Sequence, residues 1–396
     1  MPERIYLDHA STTPVAEPVL AAMLPYFREH PGNAHSRSHA AGWTAAQAVD
    51  AARNQVAELL ACRAEELTFT SGSTEAIYLA LHGVAERYAQ RGRHLVSTTV
   101  EHSAVLAACE ALEDRGHEVT YVTPDSDGLV SPKAVAAALR PDTTLCAVLW
   151  GNNETGVLQD MRGIGEICCA NGTLLFADAT QVVGKLPCYP RAAGVDLLAL
   201  SAHKFYGPKG VGALYASAEA PRVSLRPIVS GGGQEAGLRG GTLNVPGIVG
   251  LGAAAVLAKA EMAADAQRLQ RLRDDMERRL TQTLPETIVN GAAAPRLPHI
   301  SNVTFRFTEA EALLSKLQRR LSVSTGSACS SADLEPSHVL TEMGLSREDA
   351  KAAVRISLGR DTTAAHIDAA CESLIAAVPA LRAESPTWEL HEAGVL

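Results

Sequence analysis

The stretch LSAHKFYGPKG, residues 200–210, ends a short apolar run with serine, histidine and lysine, then turns on glycine and proline. Ser201, His203 and Lys204 therefore leave one predicted strand together. From about residue 43 to 255, similar apolar runs alternate with helical patterns. The expected strands are 67–70, 94–98, 119–122, 145–150, 174–177, 197–200 and 212–215, with helices such as 43–60, 75–91 and 104–115 between them. That alternation predicts an α/β fold, a mostly parallel seven-stranded sheet with helices on both faces. Ligands of such sheets bind beyond the carboxyl ends of the strands, which is where residues 200–210 fall.

The pattern changes near residue 245. A long helical stretch follows, with Leu269, Leu272, Met276 and Leu280 on one face. A strand over 300–307, a helix over 309–320, a strand over 353–357 and a last helix complete a smaller α+β unit. No repeat, heptad array or low-complexity segment interrupts the chain.

At 396 residues the chain is too long for one small core. Hydrophobic content of 46% and charged content of 20% suit an ordinary soluble globular protein. A net charge of −9 argues against broad electrostatic binding of nucleic acid. MPERIYLDHA lacks the apolar run of a signal peptide, and no stretch reads as a membrane span, so a cytoplasmic protein is expected. The eight cysteines contain no CxxC pair, and six or seven of them read as small buried hydrophobes. Cys329 differs. It sits in STGSACSSA, residues 324–332, among neighbours with nothing apolar to bury it.

Three more stretches fall at strand ends. TSGSTEA, 70–76, runs through Ser73 and Thr74 into a helix, where free amides suit a phosphate, although an ordinary helix cap reads the same way. FADATQ, 176–181, ends a strand on Asp178, which could cap a helix or pair with a protonated ring nitrogen. TTVEHSAVL, 98–106, places His102 at a helix start, fit to stack on a ring or to move protons. A lysine at this edge can form a Schiff base if its pKa is lowered, and spacing alone leaves Lys204 and Lys209 as equal candidates. Phosphate nest, carboxylate and lysine in conjunction suggest pyridoxal 5′-phosphate.

YLDHASTTPV, TSGSTEA, EHSAVL, NNETGV, DATQVVGKLP, SAHKFYGPKG, GTLNV, STGSACSSADLEPSHVL and RISLGR stand in the order seen in cysteine desulfurases. The chain resembles the NifS/IscS-like group of that family, in the class V branch of fold-type-I pyridoxal-phosphate enzymes, from Tyr6 to about Trp388. The resemblance implies a large unit over 15–255 and a small one from 1–14 with 256–396. It makes Lys204 the cofactor lysine, Asp178 the partner of the ring nitrogen, Gln181 a contact of the ring hydroxyl and His102 the stacking residue. Ser73, Thr74, Ser201 and His203 would hold the phosphate. Thr242 would reach the phosphate of a second subunit, which implies a homodimer. Asn153 and Arg355 would bind the carboxylate of L-cysteine, a task suited to an arginine fork.

The same resemblance explains Cys329. A thiol that takes sulfur from the substrate and hands it to an acceptor must move, and a loop of glycine, serine and alanine is cheap to move. The expected reaction converts L-cysteine to L-alanine and leaves a persulfide on Cys329. That sulfur would pass to an acceptor protein for iron–sulfur cluster assembly, or for sulfur modification of tRNA or of DNA as in DndA-like relatives. No direct nucleic-acid contact is expected. Ile77, Tyr78, Ala236 and Gly240 depart from the family pattern beside the phosphate turn and the Thr242 loop. A selenocysteine lyase, an aminotransferase and a non-catalytic assembly scaffold are the competing expectations. The first would ignore L-cysteine, the second would not need Cys329, and the third would not retain Lys204, Asp178, His102 and Cys329 together.

Overall fold

A computed structural model describes residues 4–219, 222–325 and 335–395. The strands, in chain order, are β1 (Ile5–Tyr6), β2 (Leu67–Thr70), β3 (His94–Thr98), β4 (Glu118–Val122), β5 (Thr143–Leu149), β6 (Leu174–Asp178), β7 (Leu197–Ser201), β8 (Gly212–Ala216), β9 (Thr287–Val289), β10 (Ile300–Phe305), β11 (Leu321–Ser322) and β12 (Ala353–Ser357). Seven of them form one sheet in the order β2-β8-β7-β6-β5-β3-β4. Only β8 runs against its neighbours, so the mostly parallel sheet is as expected.

Alternation along the strands builds a core on each face. Leu175, Ala177, Leu198 and Leu200 join one apolar cluster. Leu174, Phe176, Leu197 and Ala199 join the other. Each fully buried Leu or Phe stabilises this arrangement by about 1.5–3 kcal/mol, which is why both faces must carry helices.

The small unit has its own core, where Ile5 and Leu7 pack with Leu269, Met276, Leu280, Val354 and Ile356. There β9, β10 and β12 form an antiparallel sheet, and β1 pairs in parallel with β11. The helix Val245–Thr283 serves both units. Its first half gives Ile248, Leu251 and Ala255 to the large core, and its second half gives Leu269, Met276 and Leu280 to the small one.

Several boundaries differ from expectation. The 300–307 strand stops at Phe305 because Phe307 takes φ 64°, which no strand accommodates. The helix expected over 75–91 is Ser73–Arg87, so it begins inside the serine turn. Two helices bear on the membrane expectation. Val245–Thr283 and Ala364–Arg382 are each long and apolar enough to cross a membrane by length and composition. Both lend apolar residues to the cores just described or to the small one. Of the cysteines, Cys109, Cys146, Cys168, Cys188 and Cys371 are buried, Cys62 is half-buried and Cys169 is exposed.

Polar groups are buried where the N-terminal segment, the large sheet and β12 meet. Lys185 lies over the Tyr206 ring, 4.4 Å from its centroid, and Arg360 approaches the same ring at 4.5 Å. Burial, reinforced by Arg360 and opposed by Asp265, pushes the Lys185 amine down to about 7 from 10.5. Folding thus favours neutral Lys185. That contribution to stability is full above pH 10.5 and is lost as the pH falls toward 7. The slope is about 1.4 kcal/mol per pH unit in that window. We expect Lys185→Met to raise the melting temperature at pH 7, with the gain shrinking at pH 9. A pH-independent gap by calorimetry would contradict this.

Candidate active site

Every strand of the large sheet except β8 points the same way, so the residues after their carboxyl ends gather at one edge. Asp178 ends β6 and is 3% exposed. Its Oδ1 accepts from the Thr180 amide at 3.0 Å, which is the local cap foreseen as the plain alternative. A carboxylate has about four acceptor sites, so this bond leaves capacity for a ligand.

Residues 8–13 lie across this edge. Lys204 Nζ donates to the main-chain oxygens of Ala10 at 2.7 Å and Ser11 at 2.8 Å. Gln181 Nε2 donates to the same Ala10 oxygen at 2.8 Å. Thr13 Oγ1 donates to the His203 carbonyl and accepts from the Tyr206 amide. Lys204 is half-buried, whereas Lys209 is exposed in the following turn. Sequence reasoning missed this strap. Its signal was the polar run DHASTT directly after an apolar IYL.

The turn expected to hold a phosphate is built by close backbone approach. A Cβ on Gly212 would lie 2.4 Å from the Leu200 oxygen and 2.8 Å from Gly72 Cα, so β8 can start here only with glycine. Gly72 caps the Ser73–Arg87 helix, and a Cβ on it would lie 3.7 Å from Ser201 Oγ. The helix start and the Ser201 hydroxyl thus border the same space, and first-turn amides lack intrahelical partners. Ser73 is half-buried and Thr74 exposed. Glu75 folds back to accept from the Ser71 amide at 2.6 Å and pairs with Arg239 at 2.8 Å. His203 is pushed down to about 4 by burial, then by Lys204 and Lys209. Its ring nitrogen Nδ1 faces Thr12 Oγ1 at 3.1 Å.

His102 caps the Ser103–Glu113 helix through Nδ1, which accepts from the Ala104 amide at 3.1 Å. That bond fixes the tautomer of the neutral ring, with its proton on Nε2.

Arg355, on β12, is 3% exposed. Its Nη1 donates to the Asn153 carbonyl at 2.9 Å, and Nη2 donates to Asp8 Oδ1 and Ser324 Oγ, each at 2.9 Å. Its buried Nε has no partner among the described residues. The structure therefore joins Arg355 to Asn153 through the main chain and adds Asp8 and Ser324, which sequence reasoning had not named.

The expected thiol, Cys329, lies outside the described residues. The chain on either side is tied to this edge. Before it, Ser324 bonds Arg355 and Asp8. After it, Ser337 Oγ donates to Glu154 Oε2 at 2.5 Å, and His338 Nε2 donates to the Glu101 carbonyl at 3.1 Å.

Thr242 is exposed. A cavity of about 340 Å³ nearby is lined by Arg37, Trp43, Arg53, Glu235 and Leu243. Glu235 anchors this region, accepting from Arg53 at 2.6 Å and from the Phe69 amide at 2.7 Å. Gly240 has a steric reason, since a Cβ there would lie 2.5 Å from Gly231 Cα. Ala236 takes φ 54°, a strained value for alanine. Ile77 is buried, and Tyr78 stacks on His82 one helical turn away, so both departures are absorbed by the helix itself.

The donor set fits pyridoxal phosphate: an amine, a buried carboxylate and a hydroxyl-lined helix start share one edge. Among known proteins, the family described as Aminotransferase class-V matches residues 5–370. "Cysteine desulfurase IscS" of Haemophilus influenzae (strain PittGG) is 47% identical over 393 residues, covering 99% of this chain and 96% of that protein. A solved "NIFS-LIKE PROTEIN" superposes with a TM-score of 0.88 at 34% identity, over 96% of this chain and 100% of its own. A structure titled "SspA in complex with cysteine" gives 0.78 at 35%, over 89% and 98%.

Proposed function

The chain belongs to the aminotransferase class-V family, and from that premise we propose how its own residues turn L-cysteine into L-alanine, with Cys329 as the sulfur acceptor. The protein is a pyridoxal-phosphate-dependent cysteine desulfurase. When bound, pyridoxal phosphate supplies an electron sink that weakens the carbon–sulfur bond of the amino acid held on it. The observation that carries the assignment of roles is the meeting of Lys204, Asp178 and the Ser73 turn at one sheet edge, under a strap that also reaches Arg355.

In this reading Lys204 holds the cofactor and moves the proton at its Nζ. Asp178 would keep the ring nitrogen protonated, and Gln181 would orient the ring hydroxyl. Ser73, Thr74, Ser201 and His203 hold the phosphate, which would also raise the pKa of His203 from its depressed value. His102 would lie against the cofactor, with Nδ1 held by the helix amide and Nε2 placed to carry a proton. Arg355 binds the substrate carboxylate, and Asn153 borders it. Cys329 gives up its thiol proton and takes the substrate sulfur: thiol plus L-cysteine becomes persulfide plus L-alanine, with no outside oxidant.

The exposed Thr242, the cavity beside it and Trp43, 55% exposed, support a homodimer in which Thr242 reaches the partner's phosphate. An acceptor protein of iron–sulfur cluster assembly then removes the sulfur, which the kinship to IscS proteins supports. The net charge of −9 suits a protein recipient better than nucleic acid. The reading is tested by loading the protein with pyridoxal phosphate and measuring alanine from L-cysteine and from L-selenocysteine. Alanine from L-cysteine is expected. Alanine from L-selenocysteine alone would indicate a lyase, and amino transfer to a keto acid an aminotransferase.

A further inference from the structure

Glu101 is 1% exposed and sits one residue before His102. Its Oε1 accepts from Thr98 Oγ1 at 2.7 Å, at the end of β3, and from the Leu149 amide at 2.8 Å, at the end of β5. Leu149 is paired in register with Asp178 on β6. The Glu101 carbonyl takes His338, and Asn152 Nδ2 donates to the neighbouring Val100 carbonyl at 3.2 Å. One residue thus clamps two strand ends on the path from His102 to Asp178. Its other oxygen, Oε2, is buried without a partner among the described residues.

A buried carboxylate with no cation beside it is costly, and its usual response is to keep its proton. Among the described residues, the titratable groups that act on the Glu101 carboxyl are Asp178 from β6, Cys146 from β5 and Cys109 from the following helix, and His338 meets its carbonyl. None is a fixed cation. We propose that Glu101 is a positioning residue of the cofactor site, a neutral carboxyl that fastens β3 to β5, holds His102 in place and sets no second negative charge beside Asp178. This rests on the reading of Asp178 and His102 given above. Burial first, then the charge of Asp178, pushes Glu101 up to about 8, with Thr98 and the Leu149 amide pulling the other way. Above that pH a second negative charge would arise beside Asp178.

The experiment compares holoenzyme of the wild type, Glu101→Gln and Glu101→Leu. Glutamine keeps the acceptor oxygen without a charge, whereas leucine removes the acceptor. We expect Glu101→Gln to form alanine at pH 7 within about 3-fold of wild type. We expect Glu101→Leu to lose about 10- to 100-fold in kcat, as small misplacements of reacting groups do. The visible absorbance of bound cofactor should change near pH 8 in the wild type, and that change should be absent in Glu101→Gln. A Glu101→Gln enzyme as impaired at pH 7 as Glu101→Leu, or one that keeps the spectral change, overturns the proposal. Full activity in Glu101→Leu overturns it too. If the leucine variant does not fold, the titration of wild type against Glu101→Gln still decides. A wild type that forms no alanine from L-cysteine would instead overturn the desulfurase reading, and the spectral titration would still report on Glu101.

Discussion

Lys204→Ala is expected to abolish the visible absorbance of lysine-bound cofactor and to lower alanine formation by more than about 10³-fold, the scale of losing a covalent catalytic group. The reason is local. Lys204 is the lysine of its loop that reaches inward, held by the main-chain oxygens of Ala10 and Ser11, while Lys209 is exposed. Removing the amine should not unfold the edge, because Thr13 still ties the strap to the His203 carbonyl and the Tyr206 amide. Absorbance is read on protein incubated with pyridoxal phosphate, with circular dichroism as the control for folding. A retained chromophore, with the cofactor reductively trapped on Lys209, would reverse the assignment of the two lysines.

Cys329→Ser is expected to separate binding from sulfur transfer. The variant should still take up cofactor and L-cysteine, seen as a change in the cofactor spectrum. Its release of sulfide under reductant should fall by about 10²-fold or more, since a hydroxyl is far less ionised and less nucleophilic than a thiol. Cys62, Cys109 and Cys188 are poor substitutes. Burial pushes Cys62 and Cys109 up to about 12 and raises Cys188 further. Undiminished turnover in the variant would show that sulfur leaves by another route.

The strand ends were legible because the chain punctuates them chemically. Apolar runs stop on Asp178, on Ser201 with His203 and Lys204, and shortly before His102, and a covered parallel sheet has few other uses for such residues at that edge. β2, β3 and β12 match the expected strands residue for residue. Phe307 shows the limit of pattern reading. Its side chain continues the strand, but its backbone at φ 64° has already left it.

The rest of the site is held by partners far apart in sequence, which periodicity cannot pair. Asp8 meets Arg355 and Ser324, Glu235 meets Arg53, and Ser337 meets Glu154. Spacing alone could not choose between Lys204 and Lys209 for the same reason; the family resemblance pointed to Lys204, which is the one that the strap holds. The Val245–Thr283 helix shows that length and apolar content alone do not place a helix, since its alanines serve close packing against the large core.

The most direct test of the central claim is a single incubation of purified holoenzyme with L-cysteine and no reductant, followed by quantitation of alanine and mapping of persulfide by mass spectrometry. The account requires about one alanine per chain and a persulfide on Cys329. Alanine accompanied by a persulfide on another cysteine, such as the exposed Cys169, or by none at all, would contradict it.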